Sequence, residues 1–251
     1  MQKLTAIVPV YNEELNLDDC LARLNWVDEI LVVDSFSRDR TLEIARRYTD
    51  RILQHEYINS AAQKNWAIPQ ARHDWVLIVD ADERVTDALR DEIRAVLERG
   101  PDAAGYRIRR QNFFWGQPIY YCGWQNDWVL RLFNRRHGRY QEKEVHADVQ
   151  IDGAVGRMRA VLLHYTYRDF KQYFEKFGRY TDWGALELAK HGVRARGYHL
   201  VLHPAFRFVR MYLFERGFLD GLHGLVLCVL AAFSVFTKYA KLWELNQKKS
   251  S

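Results

Sequence analysis

The sequence predicts an α/β fold, a mostly parallel sheet flanked by helices, and three observations carry that prediction. Residues 4–8 (LTAIV) and Glu29–Asp34 (EILVVD) are nearly continuous in apolar character, as strands buried on both faces must be. Between them Leu17, Cys20, Leu21 and Leu24 recur at helical spacing. The same alternation then repeats through residue 97, which is the β-α-β order of a parallel sheet.

Each element has its own local signal. The first strand stops at Pro9. Asp39 is placed to cap a helix carrying Leu42, Ala45 and Tyr48. A third strand begins at residues 51–53, and Ser60 is the expected N-cap of a helix through Trp66. Residues 75–79 form the fourth strand, with a helix over 87–97 behind it. From Gly105 the character changes: residues 106–109 alternate, aromatics crowd 113–128, and 129–133 and 161–165 read as strands with an Asp152-Gly153 turn between them. After Arg168 the pattern is helical to the end, with interruptions expected at Gly192 and at His203-Pro204. The expected organisation is one unit over 1–167, with halves 1–100 and 101–167, and a helical region over 168–251.

A chain of 251 residues buries a full core in one domain with a small appendage. Its 48% hydrophobic and 27% charged residues exclude a disordered chain. Three cysteines, odd in number and far apart, argue against a disulfide framework and suit a reducing compartment. Met1-Gln2-Lys3 runs straight into a strand, so a cleaved leader is not expected.

The net charge of +5 conceals an asymmetry: residues 1–189 hold 27 Lys/Arg against 29 Asp/Glu, whereas residues 190–251 hold 10 against 3. Nucleic acid is disfavoured as the partner, because these basic residues alternate with long aliphatic runs instead of lining a polar face. Residues 222–236 are apolar but short for a span, which needs about 20 such residues. An interfacial helix, or a hairpin dipping into one leaflet, fits better, with Arg207, Arg210, Arg216, Lys238 and Lys241 meeting anionic lipid. The alternative is a helix packed on the core or a dimer interface.

In open parallel sheets ligands bind beyond the carboxyl ends of the strands. Three such ends here are polar: Pro9-Val10-Tyr11-Asn12-Glu13, the stretch from Asp34 to Asp39, and Asp80-Ala81-Asp82-Glu83. Taken singly, Asp34 can merely end a strand and Asp39 can merely cap a helix. Asp80 and Asp82 repel each other unless a cation lies near. Their oxygen ligands suit Mg²⁺ or Mn²⁺, which would then bridge substrate phosphates.

Residues 6–14 (AIVPVYNEE), 32–35 (VVDS) with Ser37 and Asp39, Gln63-Lys64-Asn65 and 79–83 (VDADE) occur in the order seen in family 2 glycosyltransferases. The chain resembles that family, nearest to its lipopolysaccharide-core β-1,4-glucosyltransferase group. The likeness continues through Gly123-Trp124 with Asp127, Arg131-Leu132-Phe133, Val145-His146 and Gly217-Phe218-Leu219-Asp220-Gly221, and so covers almost the whole chain. It implies a GT-A fold, with a nucleotide-sugar half over 1–100 and an acceptor half over 101–167. It also implies inverting, metal-dependent transfer of glucose or another hexose from a nucleotide sugar, commonly a UDP-sugar, to a lipid-linked or lipopolysaccharide-type glycan. By that likeness the loop holding Pro9, Tyr11, Asn12 and Glu13, together with Asp34, holds base and ribose. Lys64, Asp80 and Ala81 lie near the nucleotide, and Asp82 reaches the metal. The expected location is the cytoplasm, peripheral on the inner face of the cytoplasmic membrane.

Inversion by direct displacement needs a carboxylate to take the acceptor hydroxyl's proton. Asp127 and Glu144 are the candidates, with Glu142 behind them, because Ala147 stands where the family often has Glu after Val-His. Asp127 is preferred for its place among aromatics that suit sugar stacking; its alternative role is an ion pair with Arg131. His164 resembles a late histidine that some GT-A enzymes place near metal or diphosphate, and its plainer reading is structural. Trp115, Tyr120, Tyr121, Trp124 and Trp128 are expected to divide between core and sugar wall, and Cys20 and Cys122 to be small buried hydrophobes. Two rival functions are a sugar-phosphate nucleotidyltransferase and a non-catalytic membrane scaffold. An acidic loop after the first strand, where a basic Gly-rich one is needed, counts against the former; intact Asp34, Asp80 and Asp82 count against the latter.

Overall fold

The structure, a computed structural model, describes residues 2–141 and 148–248. Its elements run β1 (Leu4–Val10), α1 (Leu17–Ala22), β2 (Glu29–Asp34), α2 (Thr41–Ala45), β3 (Ile52–Gln54), α3 (Ser60–Ala67), β4 (Trp75–Ile78), β5 (Glu83–Val85) and α4 (Asp87–Arg99). They continue β6 (Gly105–Phe114), β7 (Gln117–Pro118), β8 (Trp128–Asn134), β9 (Gly138–Tyr140), β10 (Val149–Ile151), β11 (Val155–Tyr167), α5 (Phe170–Lys190), α6 (Gly197–Val209) and α7 (Gly221–Lys248).

The α/β expectation holds. The main sheet has the order β3-β2-β1-β4-β8-β6-β11-β5, with β1, β2, β3 and β4 parallel and β8 joining β4 antiparallel. Period-two burial explains why the strands read as continuous apolar runs. In β1, Leu4, Ala6, Val8 and Val10 face one core and Ile7 faces the other; β2 divides the same way, Ile30 and Val32 against Leu31 and Val33. Helices α1, α2 and α4 cover the first face, and α3 the second. In α4 the buried residues Leu89, Ile93, Val96 and Leu97 lie at helical spacing, Thr86 Oγ1 accepts from the Leu89 N–H at 3.1 Å, and Gly100 (φ 89°) follows its last turn.

Two boundaries differ from expectation. Asn59, one residue before Ser60, caps α3 by accepting from the Ala62 N–H at 2.8 Å, because its side-chain oxygen reaches the first turn. Pro204 lies inside α6 without ending it: its fixed φ is itself helical, so the cost is one lost bond and a crowded carbonyl. The break comes later, where a π-turn over Arg210–Phe214 puts the Glu215 N–H on the Arg210 carbonyl.

The chain forms two compact units, residues 1–110 with 127–164, and residues 111–126 with 165–251. In the second unit the segment 111–126 packs with the C-terminal helices. Phe114, Ile119 and Cys122 share a core with Tyr173, Met211, Leu227 and Cys228, and Trp115 and Trp124 rest against it while Tyr120 stays exposed. Asp220 fixes the segment by accepting from the Tyr120 and Tyr121 N–H groups at 3.0 and 2.9 Å. Gly217 and Gly224 permit this: a Cβ on Gly224 would meet the Gly217 carbonyl oxygen at 2.0 Å. Cys20, Cys122 and Cys228 are buried free thiols, as expected for Cys20 and Cys122.

The C-terminal apolar run is longer as a helix than its sequence suggested. The stretch Gly217–Lys248 contains 18 consecutive residues with a mean hydropathy of 1.9, and it is long and apolar enough to cross a membrane by length and composition.

Candidate active site

The parallel register brings the three polar strand ends to one edge. Val10 lies beside Asp34 across β1 and β2, and Ile7 beside Ile78 across β1 and β4, so the chain leaves all three strands at neighbouring points.

The first two ends are laced together. Pro9 is still within β1, opposite Val33. Tyr11 is exposed, and Asn12 takes a left-handed backbone (φ 53°), which Asn tolerates better than most residues. The Asn12 N–H donates to Ser37 Oγ at 2.9 Å, and Asn12 Oδ1 accepts from the Arg38 N–H at 2.8 Å. The Glu13 N–H donates to Thr41 Oγ1 at 2.7 Å, and the Glu13 carboxylate accepts from Asn16 Nδ2 at 2.7 Å. Asp34 is fully buried, accepting from the Ser37 N–H at 3.2 Å and from Gln54 Nε2 at 2.9 Å. Asp39 accepts from the Glu14 N–H at 3.1 Å and the Thr41 N–H at 3.0 Å, so it ties the two loops; it does not cap α2, whose N-cap is Arg40, because it lies one residue too early.

The third end is a turn closed from both sides. The Glu83 N–H donates to the Asp80 carbonyl at 2.8 Å, the Asp80 N–H donates to Glu83 Oε2 at 3.0 Å, and Arg84 donates to the carbonyl of buried Ala81 at 2.8 Å. Its two aspartates sit in different surroundings. Lys64 Nζ from α3 lies 2.8 Å from Asp80 Oδ1, and Arg131 from β8 donates to Asp80 Oδ2. Burial opposes ionisation of Asp80, yet the Arg131 and Lys64 charges hold its carboxyl well below the usual carboxylate range. Lys64 and Arg131 are raised in turn, against their own burial. Lys64 also lies 5.4 Å from the centre of the Tyr140 ring.

From Asp80 an alternating file of charge continues. Arg131 donates to the fully buried Glu83 at 2.6 Å, Arg110 stands 3.5 Å from the same carboxylate, and Arg110 donates to both oxygens of Asp127 at 2.9 Å. Such a chain tolerates burial because each ion has an opposite neighbour. Asp127 therefore pairs with Arg110 and not with Arg131. Residues 127 and 131 are four apart at the start of a strand, about 13 Å, whereas Arg110 lies beside Asp127 on the neighbouring strand and donates its N–H to the Asp127 carbonyl at 2.8 Å.

Asp82 faces His164. The Oδ2–Nε2 separation is 3.6 Å, set by the pairing of β5 with β11 that aligns Glu83 with His164. Asp82 and His164 are thus an adjacent oxygen and nitrogen donor pair that would hold a divalent cation jointly. Carboxylate oxygen suits Mg²⁺ and Mn²⁺. Among the described residues no group of three or more His, Cys, Asp or Glu side chains suits a metal, so the remaining ligands would be diphosphate oxygens and water. Glu142 and Glu144 lie outside the described residues.

Sequence reading missed Arg110 and Arg131 as members of the site. A signal existed: an arginine in the apolar strand Val129-Leu130-Arg131-Leu132-Phe133 needs a buried carboxylate, and Glu83 supplies it.

Residues 5–164 match the family model described as Glycosyl transferase family 2. The chain is 29% identical over 254 residues, 98% of its own length and 94% of the relative's, to the Lipopolysaccharide core biosynthesis glycosyltransferase LpsC of Rhizobium meliloti. Among solved structures it resembles the mannosyltransferase PcManGT of Pyrobaculum calidifontis in complex with GDP-Man and Mn²⁺, with a TM-score of 0.55 at 17% identity over 96% of this chain and 87% of that one. It also resembles S. aureus TarS 1-349 in complex with UDP-GlcNAc, with a TM-score of 0.50 at 14% identity over 98% of this chain and 92% of that one. At these identities the structural likeness shows the fold, which is GT-A.

Proposed function

The chain belongs to glycosyl transferase family 2 and is a glycosyltransferase, and from that premise we propose that it transfers a hexose, with inversion, from a UDP-sugar to a lipid-linked or lipopolysaccharide-type glycan. The name of the Rhizobium relative supports the acceptor class. Such an acceptor puts the work at the inner face of the cytoplasmic membrane.

The observation that carries the reading is the unequal environment of the two aspartates in one turn. Asp80 pairs with Lys64 and Arg131, whereas Asp82 lies opposite the His164 imidazole. In this reading Asp82 and His164 would hold Mg²⁺ or Mn²⁺, which would supply Lewis-acid stabilisation of the departing diphosphate. Lys64 and Arg131 add fixed positive charge beside the same leaving group, pre-oriented by Asp80 and Glu83. The loop 9–13 and Asp34 receive the base and ribose; Ser37, which accepts from the Asn12 N–H and donates its own N–H to Asp34, holds the two together.

Displacement forms the bond from the acceptor oxygen to the anomeric carbon as the bond to the diphosphate oxygen breaks. The acceptor's proton passes to Asp127, whose carboxylate the Arg110 fork orients, with Glu144 as the competing base. Incubating the purified protein with UDP-glucose, Mn²⁺ and a deacylated lipopolysaccharide acceptor tests the reading. Transfer with inverted anomeric configuration supports it, and full Mn²⁺-dependent turnover by Asp82→Asn removes the metal assignment.

A further inference from the structure

Helix α6 is apolar and yet buries none of its residues fully. One side of it, through His199, Leu200, Phe208 and the following Met211 and Tyr212, packs against α7 and its neighbours. The other side is open. Leu202, Phe206, Val209 and Leu213 recur at spacings of four, three and four, a single helix face, and all are exposed. Phe214, at 77% exposure, and Leu219 extend the same apolar run towards Leu222 at the start of α7. A contiguous face of this kind marks an interaction surface, since isolated exposed apolar residues do not align.

The charge around the face selects the partner. From residue 191 to residue 243 there are seven basic residues, Arg194, Arg196, Arg207, Arg210, Arg216, Lys238 and Lys241, and two acidic ones. Both acids are engaged. Glu215 pairs with Arg210 at 2.8 Å, and the Asp220 carboxylate accepts the Tyr120 and Tyr121 N–H groups. A second copy of the chain would bring like charge against like charge, whereas an anionic bilayer offers apolar depth beneath a negative surface.

The packing of α7 selects the mode of contact. Its buried side lies along α5, where the Tyr173 hydroxyl donates to the Leu230 carbonyl at 3.1 Å and Phe177 stacks on Phe233. Lys241 pairs with Asp182 of α5 at 2.7 Å, and α5 carries Lys171, Glu175, Lys176, Arg179 and Glu187 besides. A spanning α7 would draw those ions into hydrocarbon or strip away its partner helix.

We propose that the face formed by α6, its π-turn and the stretch to Leu222 docks in the interface of an anionic bilayer, with the helices lying along the surface and not crossing it. The proposal deepens the membrane-surface part of the functional reading and rests on it, but its measurement is independent of sugar transfer.

Sedimentation of the full chain with extruded vesicles tests it, comparing pure phosphatidylcholine with a mixture holding about 30% phosphatidylglycerol. Binding to the anionic vesicles alone, released by about 0.5 M salt, is expected. Replacing three exposed residues together, Phe206→Ser, Leu213→Ser and Phe214→Ser, should lower the partition coefficient at least about tenfold, while Val155→Ser on the first unit leaves it unchanged. Should the triple variant misfold by circular dichroism, Phe214→Cys carrying an environment-sensitive fluorophore gives the second readout, a blue shift on adding anionic vesicles. Three results overturn the proposal. They are indifference of the wild type to anionic vesicles, a variant that becomes monomeric without losing vesicle binding, and salt-resistant retention that survives the triple substitution, the mark of a crossing α7. If transfer to a lipid-linked acceptor persists while vesicle binding fails, the docking face is wrong and the enzymatic reading stands.

Discussion

Asp82 Oδ2 and His164 Nε2 stand 3.6 Å apart, held by a strand pairing that joins residues more than eighty positions distant in sequence. Removing either should expose its role through the metal and not through the fold. Asp82→Asn is expected to lower Mn²⁺-stimulated transfer at least about 100-fold, and His164→Ala about 10- to 100-fold with a higher Mn²⁺ requirement. Titration of Mn²⁺ in the transfer assay reads both. An unchanged Mn²⁺ response in the two variants would place the ion elsewhere.

Arg131 serves two carboxylates, Asp80 and Glu83, from a buried position. Arg131→Leu leaves both without it, and the buried Glu83 keeps the Asp80 N–H and, as its cation, Arg110 at 3.5 Å. The expected destabilisation is about 3–5 kcal/mol, measured by urea unfolding. A loss below about 1 kcal/mol would show that Lys64 and Arg110 suffice.

The depressed carboxyl of Asp80 sets a direction for acid stability. Its folded value lies below the unfolded one, so its contribution is complete above the unfolded value of about 4 and is lost as pH falls through the folded value. Wild-type stability should therefore fall below about pH 4, and Asp80→Asn should start lower and decline less over the same window. Chemical denaturation at several acidic pH values compares the two slopes.

Asp127 is gripped by both arms of Arg110. If it is the base, Asp127→Asn lowers transfer by about 10²–10⁴ while UDP binding by calorimetry stays at the wild-type level. Arg110→Lys keeps the charge without the fork and should retain part of the activity. Glu144→Gln is the parallel test, and the carboxylate whose loss spares UDP binding but abolishes transfer is the base.

Gly224→Ala puts a methyl group 2.0 Å from the Gly217 carbonyl oxygen, where no side chain can yield. The turn that aims Asp220 at the 120–121 backbone should shift, at a cost of about 1–3 kcal/mol. Thermal unfolding measures it.

Much of the first unit was legible in local signals. Continuous apolar runs mark β1, β2 and β4 because a strand covered on both faces has no polar side to show. The polar residues that end those strands fall at one edge because parallel strands share a direction, and the Asp80 to Asp82 turn was found on that ground. Less visible was Asn59 in place of Ser60 as a cap, since both residue types cap well and only the backbone φ of −157° at Asn59 decides. Pro204 misled for a related reason: a proline marks a cost, and whether the helix bears it depends on packing elsewhere.

By itself the sequence determined the parallel sheet, the edge where its polar strand ends gather, the membership of Asp80 and Asp82 in that edge, and the basic apolar character of the C-terminal quarter. Each is written in periodicity or composition, which are local. The tertiary structure decided which charges meet. Asp80 takes Lys64 and Arg131, Asp82 takes His164, and Asp127 takes Arg110 in place of Arg131. It also decided that the segment 111–126 packs with the C-terminal helices, through Asp220. An ion pair or a capped loop depends on distance, and strand register sets distance between residues the chain keeps far apart.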